Sequence, residues 1–541
     1  MSQATRAVVA EVLPALLPDA FPGWPEPEAA ALAELRPLTG PVARQVGDLF
    51  RSGDFDAWSE ALARVGNCAH PIRLHGHSQT IDTATGEIVG SYSSSQEPLG
   101  ITHVRCGNRR ASVCPSCSRL YAADMFQLIR AGVAGGKSVP ASVGENPLVF
   151  ATATAPSFGH VHGRRDSGPC RPTPRRGRSD TSTTCPHGRP TGCPARHGED
   201  DPLLGQPLCG DCYDYASHVV WQWWAPALWR RFTIALRRLV ARTLGVPAIR
   251  LGEHATVQYA KVAEFQLRGV VHFHALVRLD GPKTPGGFAP APVGIDQTVL
   301  AQLVEEAARS VRLTVPGVDA DDPDRVLVFG RQFDARPVRT NRRDDDPDRG
   351  LSPEQVAGYL AKYATKTATD SGTGTGDNDH HRRIRATVRR LVARADAHEH
   401  GQDHADHHER DHDDAPYRLL GKWTHMLGFR GHFATKSQRY SITLGALRRA
   451  RRRAQALIAE HRDTGTPLDL AALEADLLTD DEDETTLVIG HWTYAGTGWA
   501  TEGQTALANA AAARAREHAR ERARDRHDSS ATATRQQGAS R

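Results

Sequence analysis

The chain has 541 residues, of which 39% are hydrophobic and 24% charged, and its formal net charge is +4. At about 150 residues per domain, this length predicts three or four domains. The sequence has no apolar run near the roughly 18 to 20 residues that span a bilayer, and no basic segment followed by a clean apolar stretch at its N-terminus. Membrane and secreted proteins are therefore excluded, and a cytoplasmic location is expected.

Periodicity and turn residues predict the elements in chain order. Ser352 and Pro353 form a good helix start, with Ser352 as the N-cap and Gln355 as its capping-box partner. The predicted elements are helices at 31–38, 55–65, 120–133 (ended by Gly132) and 217–245, a strand within 147–156, a hairpin at 255–281 and a helix from 353.

Shifts in composition divide the chain into six segments. Most of the low-complexity insertion is expected to be solvated, because it is poor in apolar residues. The segments are an N-terminal helical region (1–67), a Cys-rich zinc module with a helix (68–148), an α+β domain (149–369) with an inserted zinc ribbon at about 170–215, a Gly/Thr and Asp/His insertion (370–416), a helical or mixed region (417–504) and a basic tail (505–541).

The hairpin carries a candidate metal site. His272 and His274 flank one residue in an alternating run, so both imidazoles point to the same face of the strand. If the turn centres on Arg268, antiparallel pairing puts Glu264 opposite His272, and Gln266 is the alternative third ligand. Two imidazoles and a carboxylate can chelate a divalent ion. A shift of one residue would turn Glu264 away, and the alternative is then an ordinary polar sheet face.

The helix that follows Pro353 carries a candidate nucleophile. In GYLAKYATK, Tyr359 and Tyr363 are four residues apart, as are Lys362 and Lys366, so each pair shares one helix face. Phenol is a poor nucleophile at neutral pH because its pKa is about 10, but a nearby ammonium group or a metal-bound phosphate offsets this. The alternative is a helix with buried aromatic residues and solvated lysines.

The nine cysteines favour structural zinc over disulfides or catalytic thiols. A first site is predicted from Cys106, Cys114 and Cys117, with Cys68 as the fourth ligand and with His103 and His70 as rivals for that place. A second site, similar to a four-thiolate zinc ribbon, is predicted from Cys185, Cys193, Cys209 and Cys212, with His187 and His197 as nearby alternatives. Cys170 is left over as free, so two structural zinc ions are expected.

Three motifs in order resemble those of the HUH endonuclease superfamily, and specifically of rolling-circle replication initiators. VFATATAPSFG is similar to motif I, VVHFHALV to motif II (His-hydrophobic-His) and YLAKYATK to motif III in its two-tyrosine form. The closer resemblance is to the RepSA-type initiators of actinomycete plasmids and integrative elements. It covers roughly residues 68 to 455 and rests on NRRASVCPSCSRLY, TAPSFGHVH, CPHGRP, DDPLLGQPLCGDCYDY, LWRRFTIALRR, QLRGVVHFHAL and LGFRGHFATKSQRYS.

The resemblance implies a fold and a reaction. The fold is α+β, an HUH domain with a central antiparallel sheet of the ferredoxin or RRM type. In the reaction, Mg²⁺ or Mn²⁺ on His272, His274 and Glu264 polarises a DNA phosphate. Tyr359 attacks it and leaves a 5′-phosphotyrosine and a free 3′-OH, while Lys362 stabilises charge and Tyr363 makes the second attack.

The implied partners are the double-stranded origin, the single-stranded nick site, and a host helicase and polymerase. AGVAGGKS resembles a P-loop, but Ala131 replaces its first glycine and it follows a helix, so no helicase of its own is expected. The arginines at 448–453 could contact DNA phosphates or form a solvated helix face. The rival functions are an HUH transposase or conjugative relaxase, and a zinc-dependent DNA-binding regulator without nuclease activity.

Overall fold

The structure is a computed structural model, and its described residues divide into two compact units. Unit 1 comprises residues within 1–123 and 480–541, and unit 2 residues within 124–479. The described residues are 38, 40–97, 99–165, 167–172, 183–285, 287–338, 353–364, 378–403, 416–464, 486–518 and 521.

The described helices are α1 (Gly40–Arg51), α2 (Phe55–Arg64), α3 (Pro115–Ala134), α4 (Tyr215–Thr243), α5 (Gln297–Ser310), α6 (Pro353–Ala364), α7 (Asp379–Asp403), α8 (Leu444–Thr464) and α9 (502–518). Short 3₁₀ turns lie at Ser94–Gln96, Ala141–Glu145, Ala248–Glu253 and Leu420–Met426. Among these helices, none combines the length and the apolar composition needed to cross a membrane.

The described strands form three antiparallel sheets. In unit 1, β1 (Ile72–Asp82) pairs with β2 (Ile88–Ser93), β3 (Thr102–Val104) and β11 (Thr486–Thr497). In unit 2, a five-stranded sheet has the order β10-β5-β6-β4-β9, and β7 pairs with β8. The strands of unit 2 are β4 (Leu148–Ala153), β5 (Thr256–Phe265), β6 (Val271–Asp280), β7 (Leu313–Val315), β8 (Arg325–Leu327), β9 (Phe333–Pro337) and β10 (Ala434–Lys436).

Unit 1 has a core of its own, made by α1, α2 and α9. Trp58 lies edge-on to Trp499, with ring centroids 5.5 Å apart. Leu507 and Ala511 of α9 are buried in the same core. The first part of the predicted basic tail is therefore a packed helix in this unit.

The central sheet of unit 2 is covered on one face by α4. Trp229 of α4 packs against Phe273 of β6, with ring centroids 5.6 Å apart. Trp221 and Trp223 of the same helix are buried in the core of this unit. The opposite face carries Glu264, His272 and His274, and α6 packs against β5.

The mixed helix and sheet architecture with antiparallel strands agrees with the predicted α+β class, whereas the HUH fold itself stays a prediction. The described structure confirms the predicted helices at 55–65, 120–133, 217–245 and from 353, the strand within 147–156 and the hairpin at 255–281. The helix α3 ends at Ala134, two residues after the expected end, and Gly135 and Gly136 follow it with positive φ. Residues 31–37 of the helix predicted at 31–38, and the cap Ser352, lie outside the described residues.

Part of the insertion that was predicted to be solvated is instead the helix α7. Its residues Ile384, Val388, Leu391 and Ala395 are buried in the core of unit 2. They recur at spacings of three and four, so they form one apolar stripe on an otherwise charged helix. The prediction failed because it was based on the low apolar content of this segment and not on the spacing of its few apolar residues. The Asp/His run from 404 onward lies outside the described residues.

We expect Leu391→Ala to lower the free energy of unfolding by about 2 to 4 kcal/mol, because it leaves a cavity where a buried leucine packs. Arg389→Ala, on the exposed side of the same helix, is the control and should change stability by less than about 0.5 kcal/mol. Urea unfolding followed by tryptophan fluorescence measures both. Equal, small effects would mean that α7 does not pack on the core.

The sheet also buries a lysine on the face that α4 covers. Lys261 is only 4% exposed, and its Nζ lies 4.4 Å from the centroid of the Phe273 ring and 5.5 Å from that of Trp229. Burial lowers the pKa of Lys261 from its ordinary value of 10.5 to about 7. Between these pH values the unfolded chain holds a proton that the folded chain lacks, so the contribution of this residue to stability rises with pH.

We therefore expect Lys261→Met to be more stable than the wild type at pH 7, with a difference that shrinks as the pH is raised toward 10. One proton corresponds to at most about 1.4 kcal/mol per pH unit. Lys283→Met, at an exposed position, is the control that should leave the pH profile unchanged. Urea titrations between pH 7 and 10 test this, and a constant difference would show that Lys261 keeps its charge in the folded protein.

Candidate metal centres and nucleophile

The strand register creates a cluster of one carboxylate and two imidazoles. Glu264 of β5 is paired directly with His272 of β6, as predicted from the alternating run. Oε2 of Glu264 lies 2.9 Å from Nε2 of His272 and 3.2 Å from Nε2 of His274. All three candidate ligand atoms lie within 4.8 Å of one another. Gln266, the alternative ligand, instead accepts a hydrogen bond from Nε of Arg268 at the turn, at 2.9 Å.

Residues of β4 fix the inner imidazole of this cluster. His274 is buried, and its Nδ1 lies 3.1 Å from the hydroxyl oxygen of Thr152, the residue opposite it on β4. The ring of Phe150 stacks on the imidazole at 5.8 Å between centroids. Because Nδ1 is engaged by Thr152, Nε2 is the nitrogen that faces Glu264 and that can bind a metal ion.

The candidate nucleophile on α6 lies beside this cluster. The ring of Tyr359 is edge-on to His274 at 5.2 Å between centroids, and edge-on to Phe150 at 5.7 Å. Tyr359 is 39% exposed, so a large substrate can approach it. The backbone of Lys362 and Tyr363 lies in the same helix, whereas their side chains, and all of Lys366, lie outside the described part of the chain.

The turn between β5 and β6 is held by histidines of two distant helices. Nε2 of His218 in α4 lies 3.3 Å from the carbonyl oxygen of Gly269, and Nε2 of His380 in α7 lies 3.0 Å from that of Arg268. The Arg268 guanidinium donates to the carbonyl oxygens of Ala155 and Pro156, at 3.0 and 2.9 Å. These contacts fix the loop that connects Glu264 to His272.

Burial keeps both of these histidines neutral. It lowers the pKa of His380 to about 4 and the pKa of His218 well below its ordinary value. A neutral imidazole has one N–H donor and one acceptor nitrogen. Each Nε2 therefore donates to a carbonyl of the turn, while each Nδ1 accepts from a buried tyrosine: Tyr213 for His218 at 2.9 Å and Tyr215 for His380 at 3.1 Å. The sequence interpretation missed these contacts, because nothing local to either helix indicates them.

The first predicted cysteine site is assembled as expected. The four thiols of Cys68, Cys106, Cys114 and Cys117 come together in unit 1, and Sγ of Cys68 lies 3.8 Å from that of Cys114 and 3.6 Å from that of Cys117. Neither rival belongs to the group, and the ring of His103 instead stacks on Trp499 at 4.9 Å. Sulfur atoms about 3.8 Å apart fit a tetrahedral zinc site with Zn–S bonds of about 2.3 Å.

The second predicted cysteine site is divided differently by the structure. Cys185, Cys209 and Cys212 come together with His187, whereas Cys193 lies in a separate group with Cys170, His162 and His197. The predicted four-thiolate grouping is therefore wrong in one member, and Cys170 is not left over. The described residues thus contain three Cys/His groups that could hold a metal ion, compatible with zinc, rather than the two expected. Spacing alone could not show this, because the path of the intervening loops decides which pairs meet.

Comparison with known proteins identifies the family. Over residues 54–513, the sequence matches the RepSA family, described as "Replication initiator protein, pSAM2". A replication initiator protein of Streptomyces ambofaciens is 40% identical over 470 residues, which are 86% of this chain and 92% of that protein. No solved structure shows a significant match. The chain belongs to the RepSA family of replication initiator proteins.

Proposed function

We propose that this replication initiator nicks and rejoins one strand of DNA at a plasmid-type origin, as an HUH endonuclease acting in the cytoplasm. The observation that carries the proposal is the convergence of Glu264, His272 and His274 within 4.8 Å, with the ring of Tyr359 at 5.2 Å from His274. A metal-binding cluster next to an exposed phenol on a rigid helix is what phosphodiester transfer to tyrosine requires.

The donor set of this cluster fits a catalytic Mg²⁺ or Mn²⁺. One carboxylate and two imidazoles supply three oxygen and nitrogen donors, and such donors suit Mn²⁺ and Mg²⁺ better than thiolates would. A divalent ion bound by Glu264, His272 and His274 would polarise the scissile phosphate and offset its negative charge. The contact between Thr152 and Nδ1 of His274 keeps the chelating nitrogen directed at the site.

The protein groups then carry out a transesterification. Oη of Tyr359 loses its proton and forms a bond to phosphorus, the bond from phosphorus to the 3′-oxygen breaks, and that oxygen takes up a proton. The products are a 5′-phosphotyrosine and a free 3′-OH, which can prime a polymerase after a host helicase opens the duplex. We assign Lys362 to stabilise charge on the phosphate or phenolate, and Tyr363 to the second attack that ends a round.

Zinc has a separate, structural role in this proposal. The Cys68 group has four thiolates and the Cys185 group has three thiolates and one imidazole, and both donor sets are typical of structural zinc. Such sites stabilise folded segments that lack a large apolar core, and they leave no open position for a substrate.

The first test is a nicking assay with Tyr359→Phe. We expect the rate of covalent adduct formation on a supercoiled plasmid carrying a candidate origin, with Mn²⁺ or Mg²⁺, to fall by about 10³-fold or more, because the attacking oxygen is gone. Adduct is measured as label transferred from the DNA to the protein on a denaturing gel. Tyr259→Phe is the matched control, since this tyrosine of β5 packs against Trp229 on the other face of the sheet from the Glu264 cluster.

Two results would contradict the assignment. If Tyr359→Phe forms adduct at the wild-type rate while Tyr363→Phe does not, the first attack belongs to Tyr363. If the double variant still nicks, tyrosine is not the nucleophile. Origin binding without any nick, over several candidate origins and both metals, would favour the DNA-binding regulator. Nicking only at transposon ends or at a transfer origin would favour the transposase or the relaxase.

A second test addresses the metal. Glu264→Gln keeps the volume of the side chain but removes its charge, so we expect the affinity for Mn²⁺ to fall by about tenfold or more, and nicking to fall with it at limiting metal. Electron paramagnetic resonance of free Mn²⁺ measures the affinity directly. The control is Glu253→Gln, which removes an exposed carboxylate paired with Arg250 at 2.6 Å. Unchanged Mn²⁺ binding in Glu264→Gln would rule out this cluster as the metal site.

A further inference from the structure

The segment between β4 and α4 holds eight candidate ligands in four consecutive pairs. In chain order the pairs are His162 with Cys170, Cys185 with His187, Cys193 with His197, and Cys209 with Cys212. The first and third pairs form one group, and the second and fourth pairs form the other. The two groups are therefore interleaved along the chain, so each closes a loop that contains ligands of the other.

The first and third pairs have the spacing of a tetrahedral metal site. Nδ1 of His162 lies 3.1 Å from Nε2 of His197 and 3.9 Å from Sγ of Cys170, and Sγ of Cys193 lies 3.5 Å from Nε2 of His197. With Zn–N bonds of about 2.0 Å and Zn–S bonds of about 2.3 Å, a tetrahedron requires separations of about 3.3 to 3.8 Å. Three of the four ligands are buried, so the group is not a chance surface cluster.

The surroundings of this group are also those of a metal site. Nδ1 of His197, the nitrogen directed away from the group, lies 2.7 Å from Oδ2 of Asp201. A carboxylate behind a ligating imidazole fixes its tautomer and leaves Nε2 free to bind the metal. The backbone N–H of Gly163 donates to Sγ of Cys170 at 3.3 Å, which stabilises a thiolate.

The second and fourth pairs are arranged in the same way. Nδ1 of His187 lies 3.2 Å from Sγ of Cys212 and 3.8 Å from Sγ of Cys209. The N–H of Gly188 donates to the carbonyl of Cys185 at 2.9 Å, which forms the tight turn that brings His187 back to the group.

We propose that these eight ligands form a cross-braced module that binds two zinc ions, one in a Cys₂His₂ site (His162, Cys170, Cys193, His197) and one in a Cys₃His site (Cys185, His187, Cys209, Cys212). With the Cys68 group, the chain binds three zinc ions. Because the ligand pairs alternate, the Cys185 pair lies in sequence between the two ligand pairs of the Cys₂His₂ site, so loss of that ion removes a constraint on both sides of the Cys185 pair. Binding of each ion therefore stabilises the site of the other. This proposal goes beyond the nicking reaction and does not depend on it.

The module supports the hairpin of the Glu264 cluster. The backbone of His162 forms two hydrogen bonds of 2.8 Å with residues 205 and 206. Gly205, with φ of +81°, lies so close to the hairpin turn that a Cβ there would be 2.4 Å from the carbonyl carbon of Leu267. The Cys₂His₂ site thus anchors the segment on which the turn rests.

The test counts zinc in the full-length protein. We expect native mass spectrometry and elemental analysis of the wild type to give three zinc ions per chain after dialysis against a weak chelator. In the double variant His162→Ala/Cys170→Ser we expect two ions, one of which is released to a strong chelator at least tenfold faster than any ion of the wild type. His160→Ala is the matched control, because this neighbouring histidine contacts Arg171 and belongs to neither group, and it should keep three ions.

The outcomes separate the proposal from its alternatives. A count of two zinc ions per wild-type chain would overturn the proposal, whether or not the variant folds. A count of three zinc ions in the double variant would also overturn it. Two remaining ions that are both held as tightly as in the wild type would overturn the cross-brace dependence. Replacement of zinc by Co²⁺ gives an independent count, because sulfur-to-cobalt charge-transfer absorption scales with the number of thiolates bound to cobalt. In the double variant, this absorption should fall by the contribution of the two thiolates of the Cys₂His₂ site.

Discussion

The register of the β5–β6 hairpin is the constraint on which the rest of unit 2 depends. Side chains of adjacent residues point to opposite faces, so the pairing of Glu264 with His272 also decides which residues meet α4. With this register, Phe273 packs on Trp229 and Glu264 lies against the imidazoles. A shift of one residue would bury the carboxylate under an aromatic helix. Packing of the apolar face on α4 therefore specifies the register, and this register brings the candidate metal ligands together on the polar face.

Tertiary contacts to the turn between β5 and β6 also help to fix the position of the hairpin. Its two carbonyl oxygens, of Arg268 and Gly269, are occupied by imidazoles from α7 and α4, and the zinc-ligand segment packs against it at Gly205. A free hairpin of this length would be marginally stable in water. Here three segments that are remote in sequence hold its closed end, so the three candidate ligands near that end are placed by tertiary contacts as well as by strand pairing.

Local patterns predicted the parts of the site that strand and helix periods determine. The alternation around His272 gave the correct faces, and Tyr359 lies on the helix that was predicted to start at Pro353. The grouping of Cys193 was not predictable in this way, since eight ligands allow several pairings and the loops decide among them. The helix α7 was missed for a different reason: its few apolar residues, such as Leu391, are sparse among charges, and their burial depends on α4 and on Leu420–Met426.

The strand order has a consequence for the protein while it is being synthesised. Among the described strands, β10 pairs with the outer edge of β5, where Lys436 lies opposite Ala260. These residues follow the end of the hairpin by roughly 150 positions, which corresponds to about 8 to 30 s of translation at about 5 to 20 residues per second. During that interval the hairpin has one row of backbone amide and carbonyl groups without its final partner, and such an edge is a template for pairing with other chains. The nascent initiator therefore exposes this edge of the sheet from the synthesis of the hairpin until β10, the last strand of the sheet in chain order, leaves the ribosome.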